Sequence, residues 1–134
     1  MELNDAANLR RTVYARISRL KLNDLLMQFD YPDANVHAER RSITSTPAQK
    51  LFMLNSPFVV SAAKSFVKRL EAEGVEEDGE KVARAYQLVF SRKPRPDEVK
   101  MAREFLVGPD EAGMTRWEQL AQVLLVCSEA IYVD

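Results

Sequence analysis

The residues of this chain that could carry chemistry are few, and they begin with a single histidine and a single cysteine. His37 lies in an irregular, mostly polar segment without an acidic or cysteine partner at useful spacing, so we interpret it as a surface histidine. Cys127 lies in the most apolar stretch, where a thiol packs as a small hydrophobic side chain. One histidine and one cysteine exclude an internal disulfide and metal sites built from several such residues.

A second group consists of polar residues that belong to no apolar stripe. Arg40 and Arg41 could pair with the carboxylate of Asp30 through bidentate hydrogen bonds, or could instead hold an anionic ligand. Gln49 and Asn55 belong to the next stretch of the chain. The sequence therefore offers these five residues as candidate binding residues. It offers no catalytic residue and no metal ligand.

Two charged runs are also candidates for binding. Residues 10–21 contain five basic residues and no acidic one, a composition that could contact phosphates. The five are Arg10, Arg11, Arg16, Arg19 and Lys21. Nothing elsewhere extends this run into a patch, so a solvated face or intramolecular ion pairs are favoured and nucleic-acid binding is disfavoured. Residues 71–80 contain six acidic residues but lack the ligand spacing of an EF-hand calcium loop.

The composition is that of an ordinary globular domain. The chain has 134 residues, of which 46% are hydrophobic and 29% charged, and its formal net charge is −1. This charge balance gives no general attraction to nucleic acid or to an anionic membrane. The N-terminal residues show no signal-peptide pattern, and apolar runs of about five residues are too short to span a membrane.

Apolar residues at helical spacing predict about five helices, a sixth element and no sheet of any size. The residues around Leu25 predict a short helix that stops before Pro32. Thr46 and Gln49 form a capping box that starts the next helix. Residues 55–57 (Asn-Ser-Pro) then predict a corner between two helices, because a serine followed by proline is typical of a helix start.

The C-terminal half continues the helical pattern. Gly74 is expected to end the helix that follows the corner, and another helix is predicted from about Gly79 to Phe90. Pro94 and Pro96 bracket a turn into the next helix. The last helix follows a second capping box and is apolar nearly all round, so we expect it to be central and most buried.

The stretch from Leu9 to Lys21 is ambiguous. Alternating apolar residues suit a half-buried strand, whereas Leu9, Val13 and Ile17 would also share one face of a helix. The β-branched and aromatic residues slightly favour the extended interpretation.

Four phrases, taken together, resemble one known family. They are "RRTVYARISR", "FDYPDANVHAERRSITSTPAQKLFMLNSPFVV", "ARAYQLVFSRKPRPDEV" and "WEQLAQVLLVCSEAIYVD". They resemble the C-terminal part of the planctomycete PSD domain, a domain of unknown function that accompanies planctomycete cytochrome c domains in large exported bacterial proteins. The order and spacing agree over nearly the whole chain, and the run from Thr46 to Phe58 is the strongest part.

The chain also departs from the family pattern. Residues 127–130 replace a Ser-Asn-Glu-Phe type phrase, Lys50 replaces an apolar residue, and the aromatic and histidine-rich N-terminal half of the family domain is missing. No Cys-x-x-Cys-His motif is present, so no cofactor is expected on this chain and haem would lie only on other domains. The resemblance implies no activity and no site residues. It implies an extracytoplasmic, envelope-associated context.

We therefore expect a mostly α fold: a compact bundle of about five helices, with a short N-terminal extended segment as an open alternative. Residues 1–134 would form a single helical domain, the C-terminal part of a larger domain in a multidomain protein. The favoured function is a non-catalytic packing or interaction module, whose partners are other domains of the same polypeptide or other proteins. The alternative is a fragment of a redox-linked or hydrolytic enzyme whose site needs the missing N-terminal half.

Overall fold

The computed structural model of the chain describes residues 10–18, 20–21, 23–33, 35–40, 44, 46–111 and 113–132. Within these ranges it contains one 3₁₀ turn, seven α-helices and no β-strand, so the predicted mostly α fold is confirmed. The helices are α1 (Asp24–Gln28), α2 (Pro47–Asn55), α3 (Pro57–Ala72), α4 (Asp78–Phe90), α5 (Pro96–Leu106), α6 (Arg116–Val126) and α7 (Ser128–Ile131). None of these helices is long and apolar enough to span a membrane.

The chain divides into two units, which we name the N-terminal unit (Met1–Phe52) and the C-terminal unit (Met53–Asp134). In the N-terminal unit, α1 starts because the side chain of Asn23 accepts a hydrogen bond from the Leu25 N–H at 2.9 Å. The helix ends at Gln28, and Asp30 then takes the left-handed conformation with a φ of 56°. The predicted short helix is confirmed, and its end lies four residues before Pro32.

The segment from Arg10 to Lys21 forms neither a strand nor an α-helix in its described residues. Thr12–Tyr14 is a 3₁₀ turn, while Arg11 and Ala15 on either side of it have extended backbones. Val13, which the strand interpretation would half-bury, is 74% exposed. That interpretation was wrong here, because no neighbouring strand is present among the described residues to pair with the segment.

The interior of the N-terminal unit is polar where the structure describes it. Gln49 is its one buried residue among those described, and every buried apolar side chain described belongs to the C-terminal unit. Phe29 and Phe52 meet edge to face with ring centroids 5.5 Å apart, but both rings are only half-buried. Leu51 on α2 is 58% exposed.

The helix boundaries of the C-terminal unit follow the predicted caps. The corner at residues 55–57 is confirmed: α2 ends at Asn55, and the Ser56 hydroxyl accepts from the Phe58 N–H at 3.3 Å. Gly74 follows the end of α3 with a φ of +72°, a conformation that costs glycine little. The capping box of Thr115 with Glu118 is also present at the start of α6.

The core of the C-terminal unit forms where α6 packs against α3, α4 and α5. The buried side chains of α6 are Leu120, Ala121 and Leu124, and they contact the apolar faces of the other helices, including Leu70 and Val82. The prediction that the last long helix is central is therefore confirmed.

Two details of that helix were predicted wrongly. Val123 is 54% exposed, so α6 is not buried on all sides. Cys127 is half-buried at the junction of α6 and α7, where its thiol donates to the carbonyl of Leu124 at 3.3 Å. The backbone turns extended at Cys127 and ends α6 there, which moves the thiol out of the core that the apolar pattern assigned to it.

We expect Leu124→Ala to lower the free energy of unfolding by about 2–5 kcal/mol, because it leaves a cavity in the core. Val123→Ala on the exposed side of the same helix is the matched control and should change it by less than about 0.5 kcal/mol. Urea denaturation followed by circular dichroism measures both. Equal losses in the two variants would show that the core lies elsewhere.

Candidate functional site

The first polar cluster lies in the N-terminal unit and contains two of the five candidate residues. The Asp30 carboxylate accepts hydrogen bonds from the Thr44 N–H at 2.6 Å and from the Thr44 hydroxyl at 2.8 Å. The Gln49 amide donates to the Gln28 carbonyl at 2.8 Å and to the Thr44 hydroxyl at 3.3 Å. Thr44 therefore links Asp30 to Gln49.

Gln28 at the end of α1 both donates a hydrogen bond to α2 and accepts one from it. Its side-chain amide donates to the Ala48 carbonyl at 3.0 Å, while its own carbonyl accepts from Gln49. Gln49 also completes the predicted capping box, in which its Oε1 accepts from the Thr46 N–H at 3.1 Å. The network ties the end of α1 to the start of α2, and it satisfies the amide of the buried Gln49.

The remaining candidates lie outside this network. Arg40 is exposed and forms no ion pair with any residue that the structure describes. Arg41 lies outside the described residues. Asn55 is exposed at the corner between α2 and α3, in the C-terminal unit. The structure therefore joins Asp30 and Gln49, and the role of the five residues in binding stays a prediction.

The second polar cluster lies in the C-terminal unit, and sequence reasoning missed it. Arg92, in the loop between α4 and α5, donates to both oxygens of Glu98 at 2.8 and 2.9 Å. The same guanidinium donates to both oxygens of Glu129 at 2.6 and 2.9 Å. Arginine can form two such forks because its five N–H groups lie in one plane. We name Arg92, Glu98 and Glu129 the arginine clamp.

Aromatic rings and a helix start support the clamp. The guanidinium carbon of Arg92 lies 5.4 Å from the ring centroid of Tyr86 and 5.5 Å from that of Phe90. Glu98 also accepts from the Arg95 N–H at 2.7 Å, which satisfies a backbone donor at the start of α5. The side chain of Glu98 is only 14% exposed. The clamp therefore joins α5, α7 and the end of α4.

The clamp fixes the charge of its members. Hydrogen bonds from Arg92, and then from the Arg95 backbone, lower the pKa of Glu98 to about 2. Hydrogen bonds from Arg92 likewise lower the pKa of Glu129, and the two carboxylates raise the pKa of Arg92. Burial is the main cause that raises the pKa of Tyr86. Carboxylates held ionised and fully paired in this way are weak general bases at neutral pH.

A groove of about 880 Å³ lies beside the clamp. Its lining combines apolar side chains, hydroxyl groups and one carboxylate, contributed by Val89, Phe90, Ser91, Ser128, Glu129, Ala130 and Tyr132. Glu129 is the charged residue of this lining, and Arg92 already pairs with it. The groove thus offers shape and hydroxyl groups to a ligand but no unpaired charge from its lining residues.

Lys81 is a buried cation in the same unit. Its Nζ lies 4.5 Å from the ring centroid of Trp117 and 3.9 Å from a carboxylate oxygen of Glu71. These contacts compensate the charge and hold α4 against α6.

Among the described residues, no group of three or more histidine, cysteine or acidic side chains could hold a metal ion. His37 is exposed, as predicted.

One family model matches the chain over residues 2–106: PSD1, described as a protein of unknown function (DUF1553). The chain belongs to this family. The expected family relationship is thereby confirmed, and the matched range contains Arg92 and Glu98 of the clamp. No curated protein and no solved structure matches the chain. Because the PSD1 description states no activity, function must be argued from the residues themselves.

Sequence reasoning missed the clamp for an identifiable reason. Glu129 has no basic residue at helical spacing in the sequence, and its partner Arg92 lies 37 positions away along the chain. A pairing over that distance leaves no periodic signal. The sequence offered one hint: the Arg-Lys-Pro turn that contains Arg92 and the C-terminal phrase that contains Glu129 are both among the phrases that resemble the family.

We expect the stability of the C-terminal unit to fall as the pH decreases from about 4.5 towards about 2. Glu98 has a folded-state pKa of about 2, below its ordinary value of 4.5. Its contribution is therefore fully present above pH 4.5 and is lost as the pH falls through the folded-state value. Thermal melts of the parent chain and of Glu98→Gln across this range measure the effect, and the variant should show the shallower loss. Glu104→Gln on α5 is the matched control, and a variant slope equal to that of the parent would contradict the clamp.

The polar interior of the N-terminal unit gives a second prediction. Gln49→Glu keeps the size and the capping oxygen but removes both amide donors, so we expect local stability to fall by about 1–3 kcal/mol. Hydrogen exchange at the start of α2 should then accelerate roughly 5- to 150-fold. Lys50→Gln, at the exposed neighbouring position, is the control and should leave exchange unchanged. Equal exchange in the two variants would mean that the network is not stabilising.

Proposed function

We propose that this chain is a non-catalytic packing and interaction module of a larger exported bacterial protein. The observation that carries the proposal is the distribution of apolar surface. Among the described residues of the N-terminal unit, the large apolar side chains are half-buried or exposed, and the one buried residue is Gln49. Several are mostly exposed, namely Val13, Tyr14, Leu20, Met27, Val36 and Leu51. Large apolar side chains that stay in water gain free energy when a partner covers them, and this supports an interaction surface.

The use of polar groups in the C-terminal unit supports the same role. Arg92 and its two carboxylates join three helices, and Arg84 pairs with Glu73 at 2.6 Å. Glu77 and Glu118 accept hydrogen bonds at helix starts. These charged side chains hold helix ends in place, as expected of a scaffold that presents a surface.

The wider context of the proposal comes from the family resemblance. The resemblance implies that domains of this family accompany cytochrome c domains in exported proteins. The partners we propose are therefore other domains of the same polypeptide or separate envelope proteins. Any haem would lie on those domains. No cofactor is proposed for this chain.

The proposal is tested by finding the size and the location of the protein that contains this chain. An antibody raised against the chain is used to blot fractionated cells of the source organism, and the same gel is stained for covalent haem. We expect a band much larger than 15.3 kDa in the envelope fraction. A soluble band near 15.3 kDa would contradict the module proposal. A large band whose purified protein loses turnover of a substrate upon Asp30→Asn, without a change in melting temperature, would favour the enzyme-fragment alternative.

A further inference from the structure

We propose that residues 10–21 are a docking segment of this chain, and that its occupant is an acidic protein surface with apolar pockets. The inference rests on the proposed function and names the surface and the partner chemistry through which the module would act. It combines three observations: the exposure of the segment, its backbone conformation and its charge.

Exposure is the first observation. Leu20 is 99% exposed, and Val13 and Tyr14 are each 74% exposed. Every described residue of the segment except Ala15 is exposed. Aliphatic and aromatic side chains that stay in water forgo the free energy that burial would supply. A partner that covers three or four of them therefore gains substantial free energy.

The backbone of the segment combines a 3₁₀ turn at Thr12–Tyr14 with an extended residue on either side of it. Arg11 has φ and ψ of −61° and 144°, and Ala15 has −76° and 148°, values close to polyproline II. Short exposed segments bind to partner surfaces that provide separate pockets for individual side chains. The aliphatic residues in the segment lie three or four positions apart, as at Val13, Ile17 and Leu20, which suits such pockets.

Charge defines the partner. The segment carries five basic residues and no acidic one, and its described basic side chains are exposed. At physiological ionic strength the screening length is about 8 Å, so these charges act mainly on groups in direct reach. A partner that places carboxylates beside its apolar pockets would match both features of the segment, and charge complementarity of this kind sets orientation and association rate.

An extended polyanion fits less well than a local acidic groove. Removing the five basic residues from the total of 19 leaves 14, against 20 acidic residues, so the rest of the chain has a net charge of −6. The acidic remainder of the chain repels a bilayer or a nucleic acid of negative charge. Nucleic acid also offers no pocket for Val13, Ile17 or Leu20.

Site-specific photo-crosslinking tests the inference. The crosslinking amino acid p-benzoylphenylalanine replaces Tyr14 in the protein expressed in its source cells, and in a second strain it replaces Phe58. Phe58 is the matched control, because it is 69% exposed but has no cluster of basic residues beside it. We expect one major protein adduct from position 14, with the crosslinked peptide rich in aspartate and glutamate, and at least a tenfold lower yield from position 58.

Charge reversal then tests the electrostatic part. Combining the crosslinker at position 14 with Arg11→Glu and Arg16→Glu should reduce the adduct at least tenfold. Lys68→Glu with Arg69→Glu changes the net charge equally on exposed residues of α3 and should leave the adduct unchanged. Melting temperatures of the variants establish that each chain is folded.

The outcomes separate this inference from the module proposal. Adducts of equal yield from positions 14 and 58, or adducts insensitive to the arginine substitutions, would overturn the docking segment while the module proposal stands. An adduct with lipid or nucleic acid, or no adduct at position 14, would overturn it as well. A protein of 15.3 kDa that is free in solution would overturn the module proposal, whichever residue crosslinks.

Discussion

Burial of one face of α6 is the constraint on which the C-terminal unit depends. Leu120, Ala121 and Leu124 lie on this face, and α3, α4 and α5 are arranged so that their apolar side chains meet it. The caps and ion pairs determine where each helix begins and how its ends are held. The packing of the helices against one another depends on the buried apolar face. Polar groups in this unit therefore refine an arrangement that apolar burial produces.

The N-terminal unit follows a different rule. Its described residues bury an amide, Gln49, and its short helix is held to the next helix by hydrogen bonds of Gln28 with Ala48 and Gln49. Hydrogen bonds define geometry well but each contributes only about 1 kcal/mol net. A unit held in this way gains much from a partner that covers its apolar side chains, and this links its polar interior to the proposed role as an interaction module.

The parts of the fold predictable from sequence were those determined by local patterns. Caps such as Thr46 with Gln49, and the stripe that continues through Leu124, depend on residues three or four positions apart, and the structure contains both. Prediction failed where the outcome depended on contacts between residues that are distant in the sequence. Val13 would be half-buried only if a neighbouring strand packed beside it, and it is exposed. The second carboxylate that pairs with Arg92 belongs to Glu129, 37 positions away along the chain. Neither fact has a local signature.

Glu98 performs two tasks with one carboxylate: it accepts from the backbone at the start of α5, and it receives one fork of Arg92. A glutamine could still cap the helix but would carry no charge for the guanidinium, while an aspartate is one methylene shorter. Position 98 is thus constrained by two requirements, and substitutions at positions 92 and 98 are not independent. Mutational effects there should combine non-additively. A sequence drifting through evolution would have to change the pair together or keep both.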